Sequence, residues 1–261
     1  MRVNGVGRCS PQPLCSKGRA AAGGVAVSGG GVDLELKSVQ KAYDGGAGTG
    51  FVLDDVNLRV SPGDYVVIVG RSGSGKSTLL NLLGGLDRPT SGEVLVDGRN
   101  LGAMRESELA ALRRRQIGFV FQTFNLIPTL TVEENLLVPL QLNGVARRAA
   151  EERSRRLLDA AEMGGLGAGF PEELSGGEQQ RVAILRAIVH EPAVVIADEP
   201  TGNLDLTTAR QTLELLEAFA GTAGRSLVMA THSQEVMGRA RRVLEIRAGQ
   251  LHEVETVEGP T

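Results

Sequence analysis

The sequence predicts an α/β fold with a parallel β-sheet core, an antiparallel β subdomain and an inserted helical subdomain. Four short, continuously apolar runs indicate the core, because strands buried on both faces of a parallel sheet lack the usual alternation. These runs cover residues 65–69, 117–121, 194–197 and 227–230. Segments with helical periodicity separate the runs, which is typical of strand–helix–strand units.

The part of the chain before the first buried run predicts the antiparallel subdomain. Leu34 and Leu36 alternate with charged residues, and Val56, Leu58 and Val60 alternate with polar ones. This period of two is typical of strands that turn only one face toward a core. We therefore expect half-buried, antiparallel strands in this region.

Helical patterns follow the buried runs. Residues 77–86 predict a helix directly after the first run, and Val182, Leu185 and Ile188 mark one face of another helix before the third run. The spacing of three residues places their side chains on the same side of a helix. Alternating strands and helices of this kind predict a parallel sheet covered by helices.

A polar region at about 105–171, rich in arginine and glutamate, predicts the helical insertion. Thr131 followed by Glu134 predicts a capping box at the start of one helix. Leu157 and Leu158 place apolar residues on one side of a second helix. After the fourth buried run, residues near the end of the chain predict a terminal hairpin.

We expect one folded domain at 32–252, preceded by a disordered tail at 1–31 and followed by a short C-terminal tail at 253–261. The N-terminal segment is rich in Gly, Ala, Ser and Pro and has no sustained periodicity, as expected of a segment that cannot offset its ordering entropy. Cys9 and Cys15 both lie in it. The folded body thus has no disulfide to form, which is compatible with a reducing compartment.

Charge and the length of the apolar runs argue against nucleic-acid binding and against a membrane span. The 261 residues carry a formal net charge of -3 and a pI near 5.8, which argues against nucleic acid because such binding needs an excess of clustered positive charge. The longest apolar runs, such as 66–69 and 194–197, are far shorter than the ~18 to 20 residues needed to cross a bilayer. We expect no direct membrane span.

The loop after the first buried run matches the pattern of a phosphate-binding loop. This phosphate loop consists of Gly70, Arg71, Ser72, Gly73, Ser74, Gly75, Lys76 and Ser77, and Thr78 follows it. Its glycines let backbone N–H groups converge on phosphate oxygens, and the start of the next helix adds partial positive charge. In this pattern Lys76 reaches the β- and γ-phosphates of ATP and Ser77 ligates Mg²⁺. A glycine-rich turn with an incidental lysine is the alternative, which the flanking strand and helix disfavour.

Two acidic residues, Asp198 and Glu199, end the third buried run. Asp198 is placed to hold Mg²⁺, and Glu199 can accept a proton from an attacking water. A solvated strand end is the alternative interpretation, and the neighbouring phosphate loop disfavours it. The sequence therefore predicts an ATPase in which Glu199 is catalytic.

A third motif, which we name the signature segment, precedes a helical pattern. It consists of Leu174, Ser175, Gly176, Gly177 and Glu178, and Gln179, Gln180 and Arg181 follow it. Ser175 with Glu178 predicts a helix cap. The consecutive glycines leave the first N–H groups of the helix open to an anion, so the same cap can bind phosphate.

These motifs together resemble the ATP-binding-cassette ATPases over roughly 34–251. The resemblance implies a phosphate-loop NTPase fold with a RecA-like parallel-sheet core. It also implies a head-to-tail dimer, in which the signature segment of one subunit closes over the γ-phosphate held by the phosphate loop of the other. A homodimer with two working sites follows as the expected assembly.

The resemblance assigns further residues. It implies that Gln122 contacts Mg²⁺ and the attacking water and couples the site to a membrane partner. His232 matches the histidine that contacts the γ-phosphate, and Tyr43 matches the aromatic residue that stacks on adenine. The loop that crosses the dimer interface is Asn203, Leu204 and Asp205.

Three segments, at 121–128, 131–135 and 197–205, resemble the branch of macrolide exporters, lipoprotein-release ATPases and the cell-division ATPase. This resemblance implies a membrane permease on a separate chain, driven for export or mechanotransmission. It also implies a cytoplasmic location, peripheral on the inner face of the cell membrane. A regulatory ATPase that acts through a membrane partner on cell-wall hydrolases, without transport, stays open as the alternative.

Two other classes of the superfamily are disfavoured. Chromosome and repair ATPases need long coiled coils between the phosphate loop and the signature segment, and the chain has only about 100 residues there. Tandem-cassette translation factors need two phosphate loops, whereas the sequence has one.

Overall fold

The computed structural model of the protein describes residues 31–43, 50–202, 204–222 and 224–254. The strands are β1 (Leu34–Lys41), β2 (Leu53–Val60), β3 (Tyr65–Val69), β4 (Ser91–Val96), β5 (Arg99–Asn100), β6 (Ile117–Val120), β7 (Val194–Asp198), β8 (Ser226–Ala230), β9 (Arg242–Arg247) and β10 (Gln250–Val254). The helices are α1 (Lys76–Leu83), α2 (Glu106–Gln116), α3 (Val132–Leu142), α4 (Arg147–Ala160), α5 (Gly176–Ile188), α6 (Leu206–Ala220) and α7 (Gln234–Met237).

The main sheet has six strands in the order β10-β9-β3-β8-β7-β6. All of its pairs are parallel except β9 with β10, which form the terminal hairpin that the sequence predicts. Along β3, Val66 and Ile68 pack on one face of the sheet while Tyr65 and Val67 pack on the other. Both faces are therefore buried, which explains the apolar runs and confirms the predicted parallel core.

The second sheet is antiparallel, with the order β2-β1-β4-β5. Leu34 pairs with Val60 and Leu36 with Leu58, so the apolar residues of β1 and β2 lie on one face. That face joins α1 and one side of the main sheet in a single apolar cluster. The predicted antiparallel subdomain is confirmed, and its apolar alternation reflects one buried face.

The helical region differs in outline from the predicted insertion at 105–171. Strand β6 lies inside that range but pairs with β7 in the main sheet. Leu109 of α2 packs in the same apolar cluster as α1. Among the described helices, only α3 and α4 form a separate layer, which packs against α5 through Leu136, Leu158 and Leu185. The predicted range 105–171 therefore contains the separate layer of α3 and α4 together with a strand and a helix that belong to the main body.

Helix α3 begins with the predicted capping box. Glu134 N donates to Thr131 Oγ1 at 3.2 Å, and Thr131 N donates to Glu134 Oε2 at 2.8 Å. Two N–H groups that lack helical partners are thereby satisfied.

The ends of the chain differ in how far the structure reaches. Strand β10 extends to Val254, two residues into the predicted C-terminal tail at 253–261. The rest of that tail, and the predicted disordered tail at 1–31 apart from Gly31, lie outside the described residues. Among the described residues, no helix combines the length and apolar character that crossing a bilayer requires.

Candidate functional site

A cavity of about 390 Å³ opens at the carboxyl ends of β3, β7 and β8. In open α/β sheets this edge is the usual place for ligands. The cavity is lined by Tyr43, Val52, Ser72, Gly73, Ser74, Gly75, Lys76, Ser77, Thr78, Gln122, Asp198, Glu199, Gly202 and His232. Residues that lie far apart in the sequence, and that the motifs assign to one nucleotide site, thus meet at one place.

The phosphate loop connects β3 to α1 by a turn that requires glycine. Gly73 and Gly75 have φ values of 77° and 104°, in the left-handed region that side-chain-bearing residues rarely adopt. Gly75 is the N-cap of α1. The backbone N–H groups at the start of α1 are thereby presented at the cavity, where an anion is favoured.

Lys76 is buried at the base of the cavity, with 7% of its surface exposed. Its Nζ donates to the carbonyl oxygens of Gly70 at 2.9 Å and Arg71 at 3.4 Å. Gly70 and Arg71, which the sequence assigns to nucleotide binding, do not line the cavity themselves. Their described contact with the site is the pair of carbonyl oxygens that accept from Lys76. The loop holds the ammonium group where negative charge in the cavity can reach it.

Glu199 and His232 complete a polar cluster with Lys76. Glu199 Oε1 lies 3.1 Å from His232 Nε2 and 3.8 Å from Lys76 Nζ, and the Nζ lies 3.0 Å from the same His232 nitrogen. A neutral imidazole has one donor and one acceptor nitrogen, so Nε2 either accepts from Lys76 or donates to Glu199. The two distances from Nε2 are similar, so either hydrogen bond can form, but a neutral imidazole cannot form both at once.

The backbone directs the Glu199 side chain into the cavity. Its φ of 45° is left-handed, and its N–H donates to Ala230 O in the neighbouring strand β8 at 2.9 Å. Such a conformation is uncommon outside glycine and persists only where surrounding contacts fix it. Only 13% of the side chain is exposed. The carboxylate thus reaches the cavity through a turn at the end of β7.

Ser77, Gln122 and Asp198 bring three oxygen donors to the same cavity. They are a hydroxyl from α1, an amide from the segment after β6 and a carboxylate from the end of β7. Mg²⁺ prefers oxygen ligands and is commonly held by one or two carboxylates together with substrate phosphates. The donor set fits this ion.

Tyr43 lies at the rim of the cavity, with 54% of its surface exposed. Its hydroxyl donates to Asp87 Oδ2 at 2.8 Å, and Lys41 Nζ lies 4.6 Å from the centre of its ring. Burial raises the pKa of Tyr43, and the Asp87 carboxylate adds to this, while Thr78 opposes it. Burial also acts to raise the pKa of Asp87, but hydrogen bonds from Lys41 and Tyr43 outweigh it and the pKa is lowered.

Sequence reasoning missed Lys41 and Asp87. The available signal was the position of Lys41, which occupies a buried register of β1 together with Leu34, Leu36 and Val39. A lysine at a core register indicates a specific partner, because burying an unpaired ammonium is costly. Nothing in the sequence pointed to Asp87 as that partner.

The signature segment begins α5 with the predicted cap. Ser175 N donates to Glu178 Oε2 at 2.8 Å, and Glu178 N donates to Ser175 Oγ at 3.4 Å. The hydrogen bonds from Ser175 lower the pKa of Glu178. None of Leu174, Ser175, Gly176, Gly177 and Glu178 lines the cavity of the same chain. The fold therefore places this segment apart from the phosphate loop.

The predicted interface loop leads into α6. Asp205 is the N-cap, because its carboxylate accepts from Thr207 N and Thr208 N at 3.0 and 3.1 Å. The bonds from Thr208 lower the pKa of Asp205. Leu204 is half-buried, and Asn203 lies outside the described residues. Like the signature segment, the described part of this loop does not line the cavity.

Comparisons with known proteins agree with the family that the sequence motifs resemble. A family model described as ABC transporter matches residues 53–202. A protein of Mycobacterium tuberculosis, named as an uncharacterized ABC transporter ATP-binding protein, is 45% identical over 218 residues, which cover 84% of this chain and 88% of that protein. The macrolide export ATP-binding/permease protein MacB of Hyphomonas neptunium is 44% identical over 218 residues, and the match covers 84% of this chain but 34% of that protein.

A solved structure of similar fold is described as the dimeric, post-hydrolysis state of the ATP-binding cassette MJ0796 bound to ADP and Pi. Its TM-score is 0.80 at 39% identity, over 87% of this chain and 100% of that one. MJ0796 comes from Methanocaldococcus jannaschii, where it is named as an uncharacterized ABC transporter ATP-binding protein. The fold, the residues that line the cavity and the similar proteins all indicate the same family. The chain belongs to the ABC transporter family as an ATP-binding subunit with ATPase activity.

Proposed function

We propose that two copies of this chain bind two MgATP between them, with the phosphate loop of one copy facing the signature segment of the other. The observation that carries the proposal is the separation of these two motifs within one chain. Ser175 and Gly176 are exposed at the N-terminus of α5, yet they do not line the cavity that holds Lys76. A second copy supplies the missing side of the site, and the dimeric relative bound to ADP and Pi supports this arrangement.

The proposed roles of the cavity residues follow from their positions. Lys76 contacts the phosphates, and Glu199 accepts the proton of the attacking water, a role typically worth ~10² to 10⁴ in rate. His232, beside Glu199, contacts the γ-phosphate. Ser77, Gln122 and Asp198 hold Mg²⁺, which when bound neutralises the charge that develops on the phosphate oxygens. Tyr43 stacks on the adenine at the rim.

We further propose that the dimer drives a membrane permease on a separate chain, for export or mechanical work. The long relative MacB is named as an ATP-binding/permease protein, and this chain covers 34% of it. The relatives that the chain covers almost completely are named only as ATP-binding proteins. The coupling follows from mass action, because ATP favours the closed dimer and loss of the γ-phosphate releases it.

The substitution Glu199→Gln tests the proposed dimer. Because it removes the proton acceptor but keeps the size of the side chain, we expect ATP binding to persist while turnover falls by ~10² or more. The trapped protein should sediment as a dimer with MgATP and as a monomer without it. A Glu199→Gln protein that stays monomeric at saturating MgATP, or that hydrolyses ATP at the normal rate, would contradict the proposal.

A matched pair of charges locates the interface. In the Glu199→Gln background, Gly176→Asp places a carboxylate where the partner's phosphate approaches, so the dimer should be lost while each monomer still binds ATP. Gly165→Asp is the control, because a Cβ at Gly165 meets no atom within 4 Å and the residue is exposed. Equal loss of dimer in both variants would indicate a general charge effect instead.

A further inference from the structure

We infer that Lys41 is a positioning residue that holds the ring of Tyr43 in place for the base of the bound nucleotide. The inference rests on the proposed nucleotide site and goes beyond it, because it names the group that orients the Tyr43 ring.

Lys41 is linked to Tyr43 through Asp87. The Lys41 Nζ donates to Asp87 Oδ1 at 2.8 Å and to Arg88 O at 2.8 Å. The other carboxylate oxygen of Asp87 accepts from the Tyr43 hydroxyl at 2.8 Å. One carboxylate thus bridges the ammonium and the phenol, and Arg88 N also donates to Oδ1 at 2.7 Å. We name Lys41, Asp87 and Tyr43 the rim clamp.

The clamp fixes the ring at two points. Asp87 holds the hydroxyl, and the Lys41 ammonium lies 4.6 Å from the ring centre, within the range of a cation–π contact. About half of the Tyr43 surface stays exposed and lines the cavity. A ring held in this way keeps a free surface for a base without losing further side-chain freedom on binding.

The rim clamp also ties the Tyr43 ring to the helix that follows the phosphate loop. Lys41 is the last residue of β1, while Asp87 lies just after α1, the helix that begins at the phosphate loop. The ion pair between them is partly buried, with 11% of the Lys41 side chain and 29% of the Asp87 side chain exposed. An apolar residue would fill this register of β1 at lower desolvation cost. The charge therefore serves the connection between strand and helix.

The test compares two ligands that share the phosphates and differ in the base. Lys41→Met keeps the length of the side chain but loses its charge and its donors. We expect the Kd of MgATP to rise roughly tenfold, while the Kd of magnesium tripolyphosphate, which has no base, stays unchanged. The KM for ATP should rise with kcat unchanged at saturating ATP, and Lys41→Arg should restore most of the affinity.

A second variant examines the clamp without altering Lys41. Tyr43→Phe keeps the ring and removes the hydroxyl that Asp87 holds, so ATP affinity should fall roughly threefold with tripolyphosphate binding intact. Equal losses for both ligands in Lys41→Met would overturn the inference, because they indicate damage to the phosphate loop.

Tyr43→Leu separates the inference from the function on which it rests. If Tyr43→Leu weakens ATP binding but Lys41→Met and Tyr43→Phe do not, base stacking stands and the positioning role is wrong. If Tyr43→Leu leaves ATP affinity unchanged, the proposed stacking itself fails, and the positioning role fails with it.

Discussion

His190 is a titratable side chain that the proposed mechanism does not use. It matches no sequence motif, and in the structure it is half-buried. Both ring nitrogens are shielded from solvent at the end of α5, which packs against β6. Burial, aided by the charge of Arg153, lowers the pKa of His190 from 6.5 to about 4, against an opposing contribution from the backbone of Ile117.

This pKa predicts a stability that falls in acid. The unfolded chain takes up a proton near the ordinary pKa, while folded His190 stays neutral until about pH 4. The unfolded state therefore binds more protons between these values, and the free energy of unfolding decreases as the pH falls through that window. We expect His190 to account for about 2 kcal/mol of loss between pH 7 and pH 4.5.

Urea denaturation of the wild type and of His190→Gln at several pH values measures this contribution. Carboxylates with lowered pKa values, such as Asp87 and Asp205, affect both proteins equally. The difference in unfolding free energy between the two proteins should therefore change with pH as His190 titrates. Parallel curves would show that His190 is not buried in its neutral form.

At the scale of elements, the tip of α5 carries two glycines with different surroundings. A Cβ on Gly176 would meet only the ring of Phe124, at an ordinary 3.9 Å. A Cβ on Gly177 would lie 2.3 Å from Thr208 Cγ2 on α6. Close packing of the two helices therefore requires Gly177, whereas the fold leaves Gly176 free to meet a ligand.

Alanine substitutions should separate these two roles. Alanine normally stabilises a helix by up to ~1 kcal/mol relative to glycine, so Gly176→Ala should leave the unfolding free energy unchanged or raised. Gly177→Ala should lower it by ~1 to 3 kcal/mol, because the new methyl group overpacks the contact with Thr208. Thr208→Ser removes the opposing Cγ2 and should recover part of this loss in the double variant, as measured by urea denaturation. Equal unfolding free energies of the two alanine variants would mean that α6 can shift to accommodate the new methyl group without measurable cost.

At the scale of the whole molecule, α5 connects the helical layer to the main sheet. Ile184 packs in the apolar cluster of the sheet, while Leu185 packs against α3 and α4. Arg186 of the same helix donates to Phe124 O and Asn125 O, in the segment that follows Gln122. The signature segment at its tip, the cavity edge at Gln122 and the helical layer are thus joined by one helix.

Co-purification tests the proposed membrane partner. Tagged chain extracted from membranes with mild detergent should carry a multi-helix membrane protein with it, and addition of that protein should change its ATPase rate. The Lys76→Ala variant, which lacks the ammonium group proposed to contact the phosphates, should lose the rate response. Recovery of the chain alone under conditions that preserve ATP binding would contradict a permease subunit.

Local motifs of this protein are determined by the sequence itself. The phosphate loop and the cap formed by Ser175 and Glu178 each lie within a few consecutive residues, so their spacing fixes their geometry. The apolar runs likewise indicate a parallel sheet, because strands buried on both faces of such a sheet lack the usual alternation.

Which elements contact one another follows from the packing of the whole chain. Lys41 and Asp87 are 46 positions apart, and no pattern in either segment indicates the other. The same holds for His190, whose ring nitrogens are shielded from solvent by packing rather than by any local sequence pattern. Periodicity reveals which face of an element is buried but not what covers it, since long-range contacts depend on how the whole chain packs.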